Sequence, residues 1–81
     1  MEITKFAGKT CVKCRVLDNI LKQVDLPCEV KTVYMEDAEE QFAKNDVVTV
    51  PTLLIKNGEK EVKLEGMTVP DMIKDAISKV L

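Results

Sequence analysis

Hydrophobic and polar positions change period several times along the chain, and each change marks an element. Between Glu2 and Phe6, the residues Ile3, Thr4 and Phe6 favour extended backbone and Gly8 breaks the run, which predicts a first strand. From Thr10 the period lengthens. Cys14, Leu17, Leu21 and Val24 recur at three- and four-residue steps, Val16 and Ile20 widen the stripe, and Lys13, Asp18, Asn19 and Lys22 fall away from its centre. The pattern predicts an amphipathic helix of about four turns, capped by Thr10 and stopped by Pro27. Cys28 to Tyr34 is rich in β-branched residues and reads as a second strand, parallel to the first in a right-handed βαβ unit.

Acids open and a lysine closes the stretch Glu36 to Lys44, the order that complements a helix dipole. A short second helix is expected there, with Met35, Ala38 and Phe42 near one face. Asn45 and Asp46 punctuate it before Val47 to Val50, and Pro51 interrupts what would otherwise be one long β-prone run. Thr52 to Lys56 and Glu61 to Glu65 read as strands joined by the hairpin signal Asn57-Gly58-Glu59-Lys60. The second of these alternates charged with apolar residues, so it is placed at a sheet edge. Gly66 ends it. Thr68 with Asp71 resembles a capping box, Pro70 fits the first turn, and Val69, Ile73, Ala76, Ile77 and Val80 share a face of a third helix. The order is βαβαββα within one domain, residues 1–81, without linker or repeat.

Composition narrows the function. A chain of 81 residues with 46% hydrophobic and 32% charged positions has the balance of a compact fold with a modest core. Net charge is -2 and the lysines are interleaved with acids, so nucleic-acid binding is not expected. There is no succession of basic, apolar and small residues of the secretory kind and no apolar run of membrane length, so a cytoplasmic protein without membrane contact is expected. Three cysteines, two of them close together, do not fit a disulfide-stapled scaffold.

The close pair is Cys11-Val12-Lys13-Cys14, following Gly8-Lys9-Thr10 at the expected helix start. Unpaired N–H groups and the helix dipole favour a thiolate at Cys11, and Lys9, Lys13 and Arg15 add positive charge nearby. Cys14 lies one turn later on the inward stripe, where burial disfavours ionisation. That inequality suits thiol–disulfide exchange: Cys11 attacks a disulfide, and Cys14 resolves the mixed disulfide. Metal binding remains an alternative. A closed zinc site needs four ligands, and three cysteines without histidine would have to borrow a carboxylate or a second chain, or hold a soft ion on two thiolates. Cys28 reads as a small half-buried residue.

The CxxC near a βαβ pattern, together with Val50-Pro51-Thr52-Leu53-Leu54 followed by Lys56-Asn57-Gly58-Glu59, resembles the thioredoxin superfamily in its small, glutaredoxin-sized form. The resemblance implies an α/β fold of the minimal thioredoxin kind, with a mixed four-stranded sheet and helices on both faces. It also implies a cis Val50–Pro51 bond lying against the cysteines, with Val50 offering its backbone to an extended substrate. Gly66 would let that substrate approach, with Val12, Lys13 and Met67 around it, while Lys9 and Thr10 would tune the pKa of Cys11. The expected activity is a thiol–disulfide oxidoreductase of electron transport and cell redox homeostasis, reducing protein disulfides as a monomer. It would use no cofactor beyond the Cys11–Cys14 couple and would be recharged by a separate thioredoxin-reductase-like donor. The alternatives are a glutathione-dependent glutaredoxin and a non-catalytic metal- or partner-binding module.

The sequence also departs from that family. Thr10 replaces the tryptophan of the thioredoxin WCGPC, Val12-Lys13 match neither that motif nor the glutaredoxin CPYC, and Lys5 stands where thioredoxins carry a buried aspartate. The stretch Gly66-Met67-Thr68-Val69-Pro70-Asp71 keeps one glycine and one acid of the glutaredoxin turn that binds glutathione.

Overall fold

The computed structural model describes residues 1–81. Its elements are β1 (Glu2–Ala7), α1 (Val12–Leu21), β2 (Val30–Tyr34), α2 (Glu39–Lys44), β3 (Thr52–Asn57), β4 (Lys60–Glu65) and α3 (Pro70–Val80). The expected βαβαββα order is present. The sheet runs β2-β1-β3-β4, with β1 and β2 parallel and the other two pairs antiparallel. β4, with its alternating charges, lies at an edge, where the charges oppose pairing with another chain.

Side chains of β1 alternate between two cores, as the pleat requires. Ile3 joins Leu17 and Leu21 of α1 with Ile73, Ala76 and Val80 of α3, while Leu53 and Ile55 of β3 complete that cluster. Phe6 points the other way and meets Val33, Phe42, Val47 and Leu54. Helices α1 and α3 therefore cover one face of the sheet and α2 the other. Phe6 and Phe42 stack edge to face with ring centroids 5.0 Å apart, a geometry favoured by the aromatic quadrupole. Each fully buried side chain of this size contributes roughly 1.5–3 kcal/mol, a large share of the stability of a domain this small. No helix is long and apolar enough to cross a membrane.

Several boundaries differ from the sequence expectation. α1 is capped by Cys11 rather than Thr10 and ends at Leu21, well short of Pro27. Its last turn tightens, with the N–H of Gln23 bonded to Ile20 and that of Val24 to Leu21, and this turn carries Val24 into the core from outside the helix. β2 begins at Val30 rather than Cys28. α2 begins at Glu39 rather than Glu36, because the N–H of Met35 still bonds Ala7 across the sheet at 2.8 Å and a turn on Tyr34 occupies the next residues. Met35 is accordingly exposed rather than on the buried face.

The capping box expected at Thr68 does not form. α3 is capped by the extended Val69 with no side-chain hydrogen bond, because Pro70 supplies the first turn and Thr68 is turned into the protein. Thr68 Oγ1 is buried there with no hydrogen-bond partner, and Val69 is exposed instead of facing the sheet.

Candidate redox site

Strand pairing brings the two motifs together. β1 and β3 are antiparallel with Phe6 opposite Thr52, so the end of one strand lies beside the start of the other. The loop leaving β1 holds Gly8 to Cys11, and the loop entering β3 holds Val50 and Pro51. A Cβ placed on Gly8 would lie 3.6 Å from Cys11 Cβ and 3.8 Å from Val50 Cγ2, so both loops converge on that glycine. The Val50–Pro51 peptide is cis, as the resemblance implied.

The proline loop is held from two sides. Thr52 Oγ1 donates to the carbonyl of Thr49 at 2.6 Å, and the N–H of Gly66 donates to the carbonyl of Pro51 at 2.8 Å. Gly66 has φ +73°, a conformation that disfavours any side chain, while a Cβ there would meet nothing within 4 Å. Val50 makes none of the backbone hydrogen bonds of the turns and loops. Its N–H and C=O are thus free for an extended peptide.

Cys11 and Cys14 are joined as a disulfide with Cα atoms 5.3 Å apart, inside the roughly 4.4–6.8 Å such bridges span. One helical turn between two cysteines sets that distance. The N–H of Cys11 donates to the Gly8 carbonyl at 3.3 Å, and Cys11 Sγ accepts the N–H of Cys14 at 3.1 Å. Cys14 is 3% exposed and Cys11 only half-buried, so an incoming thiol or disulfide meets Cys11 first. Cys28 is a free thiol packed against the larger core, remote in the fold from this pair.

The structure sorts the remaining candidates. Val12 is 71% exposed beside the disulfide, and Lys13 and Met67 are exposed as well. Thr10 is exposed and caps nothing. Lys9 is committed elsewhere: its Nζ pairs with Asp37 at 3.0 Å and its N–H donates to the Glu36 carboxylate. The hydrogen bond and charge of Asp37 raise its pKa above the ordinary 10.5. No three cysteine or carboxylate side chains come together in a cluster fit for a metal ion.

Two features escaped the sequence reading. Buried Lys5 pairs with Asp18 of α1, one turn beyond Cys14, and both line a cavity of about 70 Å³ with Cys11 and Cys14. Cys14 and Asp18 are four residues apart on α1, but Asp18 falls off the centre of the apolar stripe and no local pattern marks Lys5 as its partner. The second is an apolar hollow of about 420 Å³ beside the proline loop, lined by Met35, Phe42, Val47, Val48 and Val50. Val48 is 88% exposed there. A run of four β-prone residues does not say which of them is presented outward, and only the chain's path shows it.

No protein-family model matches the chain, and no curated protein is significantly similar to it in sequence. Solved structures are similar. Thioredoxin 1 from Thermosipho africanus superposes with a TM-score of 0.76 at 20% identity, over 96% of this chain and 91% of that one. Thioredoxin O2 from Arabidopsis thaliana in its oxidized state gives 0.77 at 18%, over 95% and 71%. Fasciola hepatica thioredoxin gives 0.74 at 24%, over 98% and 79%. With the strand order, the helix placement, the cis Val50–Pro51 bond and the paired CxxC, these likenesses establish that the chain has the thioredoxin fold.

Proposed function

We propose that the protein is a thiol–disulfide oxidoreductase that reduces disulfides in other proteins. The observation that carries this reading is the Cys11–Cys14 disulfide at the start of α1, with Cys11 and Val50 both converging on Gly8 and the backbone of Val50 unpaired. In the reduced protein the Cys11 thiolate attacks a substrate disulfide, forming a mixed disulfide and releasing one substrate thiolate. Cys14 then loses its proton and attacks Cys11 Sγ, which expels the second substrate thiol and regenerates the disulfide. Two electrons and two protons pass to the substrate. Val50 holds the substrate backbone as an added strand, while Val12 and Met67 offer apolar contact around it.

The reading takes a separate dithiol reductase as electron donor, the cytoplasm as compartment and a monomer as working unit. Its test is turnover of a protein disulfide, with dithiothreitol as the final reductant. Wild-type protein is expected to accelerate reduction and Cys11→Ser to abolish the acceleration. Wild-type turnover retained in Cys11→Ser overturns the assignment, and reduction of a glutathione mixed disulfide that survives Cys14→Ser turns it into a glutaredoxin.

A further inference from the structure

We infer that Lys5 is a charge-stabilising residue for Cys14, positioned by Asp18 so that its ammonium offsets the negative charge that appears on the buried sulfur when the disulfide opens. The inference rests on the redox reading above. Lys5 is in the centre of the sheet, 4% exposed, with its side chain on the face covered by α1. A buried ammonium is costly unless paired, and Asp18 supplies the pair. An apolar residue at position 5 would fill the same space without that cost. The lysine instead occupies the wall of the cavity that also contains Cys11 and Cys14.

The two charges of the pair do not act equally on the sulfur. The Asp18 side chain is 49% exposed, so water screens its carboxylate, whereas the Lys5 ammonium is enclosed and its field reaches the cavity with less screening. The other charged or titratable groups on that cavity are Lys9 from the loop, Arg15 from α1 and Tyr34 from β2. Lys9 is held by Asp37 and Arg15 is exposed, which leaves Lys5 as the enclosed cation. In resolution, Cys14 gives its proton to water, the thiolate forms beside Lys5, and the new Cys14–Cys11 bond forms as the Cys11–substrate bond breaks. In the reverse direction an incoming thiolate attacks Cys11 Sγ and the electron pair of the broken bond is left on Cys14, again beside Lys5.

The test follows the thiolate absorbance of Cys14 against pH in a Cys11→Ser, Cys28→Ser background, which needs no turnover. It is paired with the single-turnover rate at which a mixed disulfide on Cys11 is resolved in protein that keeps both active cysteines. Lys5→Met is expected to raise the titration midpoint by about one pH unit and to slow resolution about tenfold at neutral pH, while Lys5→Arg keeps most of both. Lys5→Gln, which can still hydrogen-bond Asp18 but carries no charge, should behave as Lys5→Met does, and serves in its place should that variant not fold. A midpoint unchanged by loss of the charge, or an arginine variant as impaired as the methionine one, overturns the inference. Protein-disulfide turnover by wild type persisting in that case leaves the redox reading intact, whereas absence of turnover in wild type sinks that reading whatever the titration gives.

Discussion

Cys11 Sγ accepts the backbone N–H of Cys14 at 3.1 Å, so the more exposed residue of the disulfide is also the N-cap of α1. Chemistry and helix stability therefore meet in one atom. We predict that Cys11→Ser and Cys11→Ala both lose turnover but differ in stability. Serine keeps an acceptor at the cap and alanine does not, a difference of about 1 kcal/mol in favour of serine. Urea unfolding of both variants under reducing conditions, where the disulfide contributes to neither, measures it.

Gly66→Ala is expected to cost about 1–2 kcal/mol by urea unfolding. The positive φ is the cause, since a Cβ would meet no neighbouring atom. The methyl group would add bulk in the open space next to the N–H that holds the Pro51 carbonyl, so KM for a protein disulfide should rise while turnover at saturation changes little.

Thr68→Val should be neutral or stabilising by up to about 1 kcal/mol. The hydroxyl is buried without a partner and caps nothing, so its removal relieves a desolvation cost while keeping the shape of the side chain. Thermal unfolding followed by circular dichroism would settle the sign.

Lys9 supplies a pH dependence at alkaline pH. Its pKa is raised by the hydrogen bond and then the charge of Asp37, so its stabilisation is fully present below the ordinary 10.5 and fades as pH rises through the raised value. The stability difference between wild type and Asp37→Asn should therefore narrow above pH 10.5. Because Lys9 is spent on Asp37, Lys9→Gln is expected to change the alkylation rate of Cys11 by less than about twofold, within the small effects usual for exposed charges.

Strand and helix order was legible because the periods are clear: Leu17 and Leu21, or Ile73 and Ala76, occur at helical steps and do face the core. Helix ends were less legible. Val24 continues the α1 stripe in sequence yet packs from a turn, since burial depends on where a side chain arrives and periodicity cannot tell a helix from the turn that follows it. Thr68 fitted a capping pattern, but Pro70 and the extended Val69 set the helix start one residue later.

Of the candidate site, the cysteine pair could be singled out from its residues and the proline loop from the resemblance. The Lys5–Asp18 pair could not, because nothing local to a lysine in a strand announces a carboxylate on a helix that crosses above it. Lys9 shows the converse. Closeness in sequence suggested an effect on Cys11, while the fold had matched that charge with Asp37.

The antiparallel pairing of β1 with β3 has a consequence for how the site comes into being. Residues up to Cys14 carry the cysteine pair, yet the proline loop begins near Val50, and the zipping of Ile3 to Phe6 against Thr52 to Ile55 sets the two in register. The thiols exist as soon as the first helix does. The two loops meet only when a strand pair closes a loop spanning half the chain, so their arrangement arrives with the global fold and is lost with it.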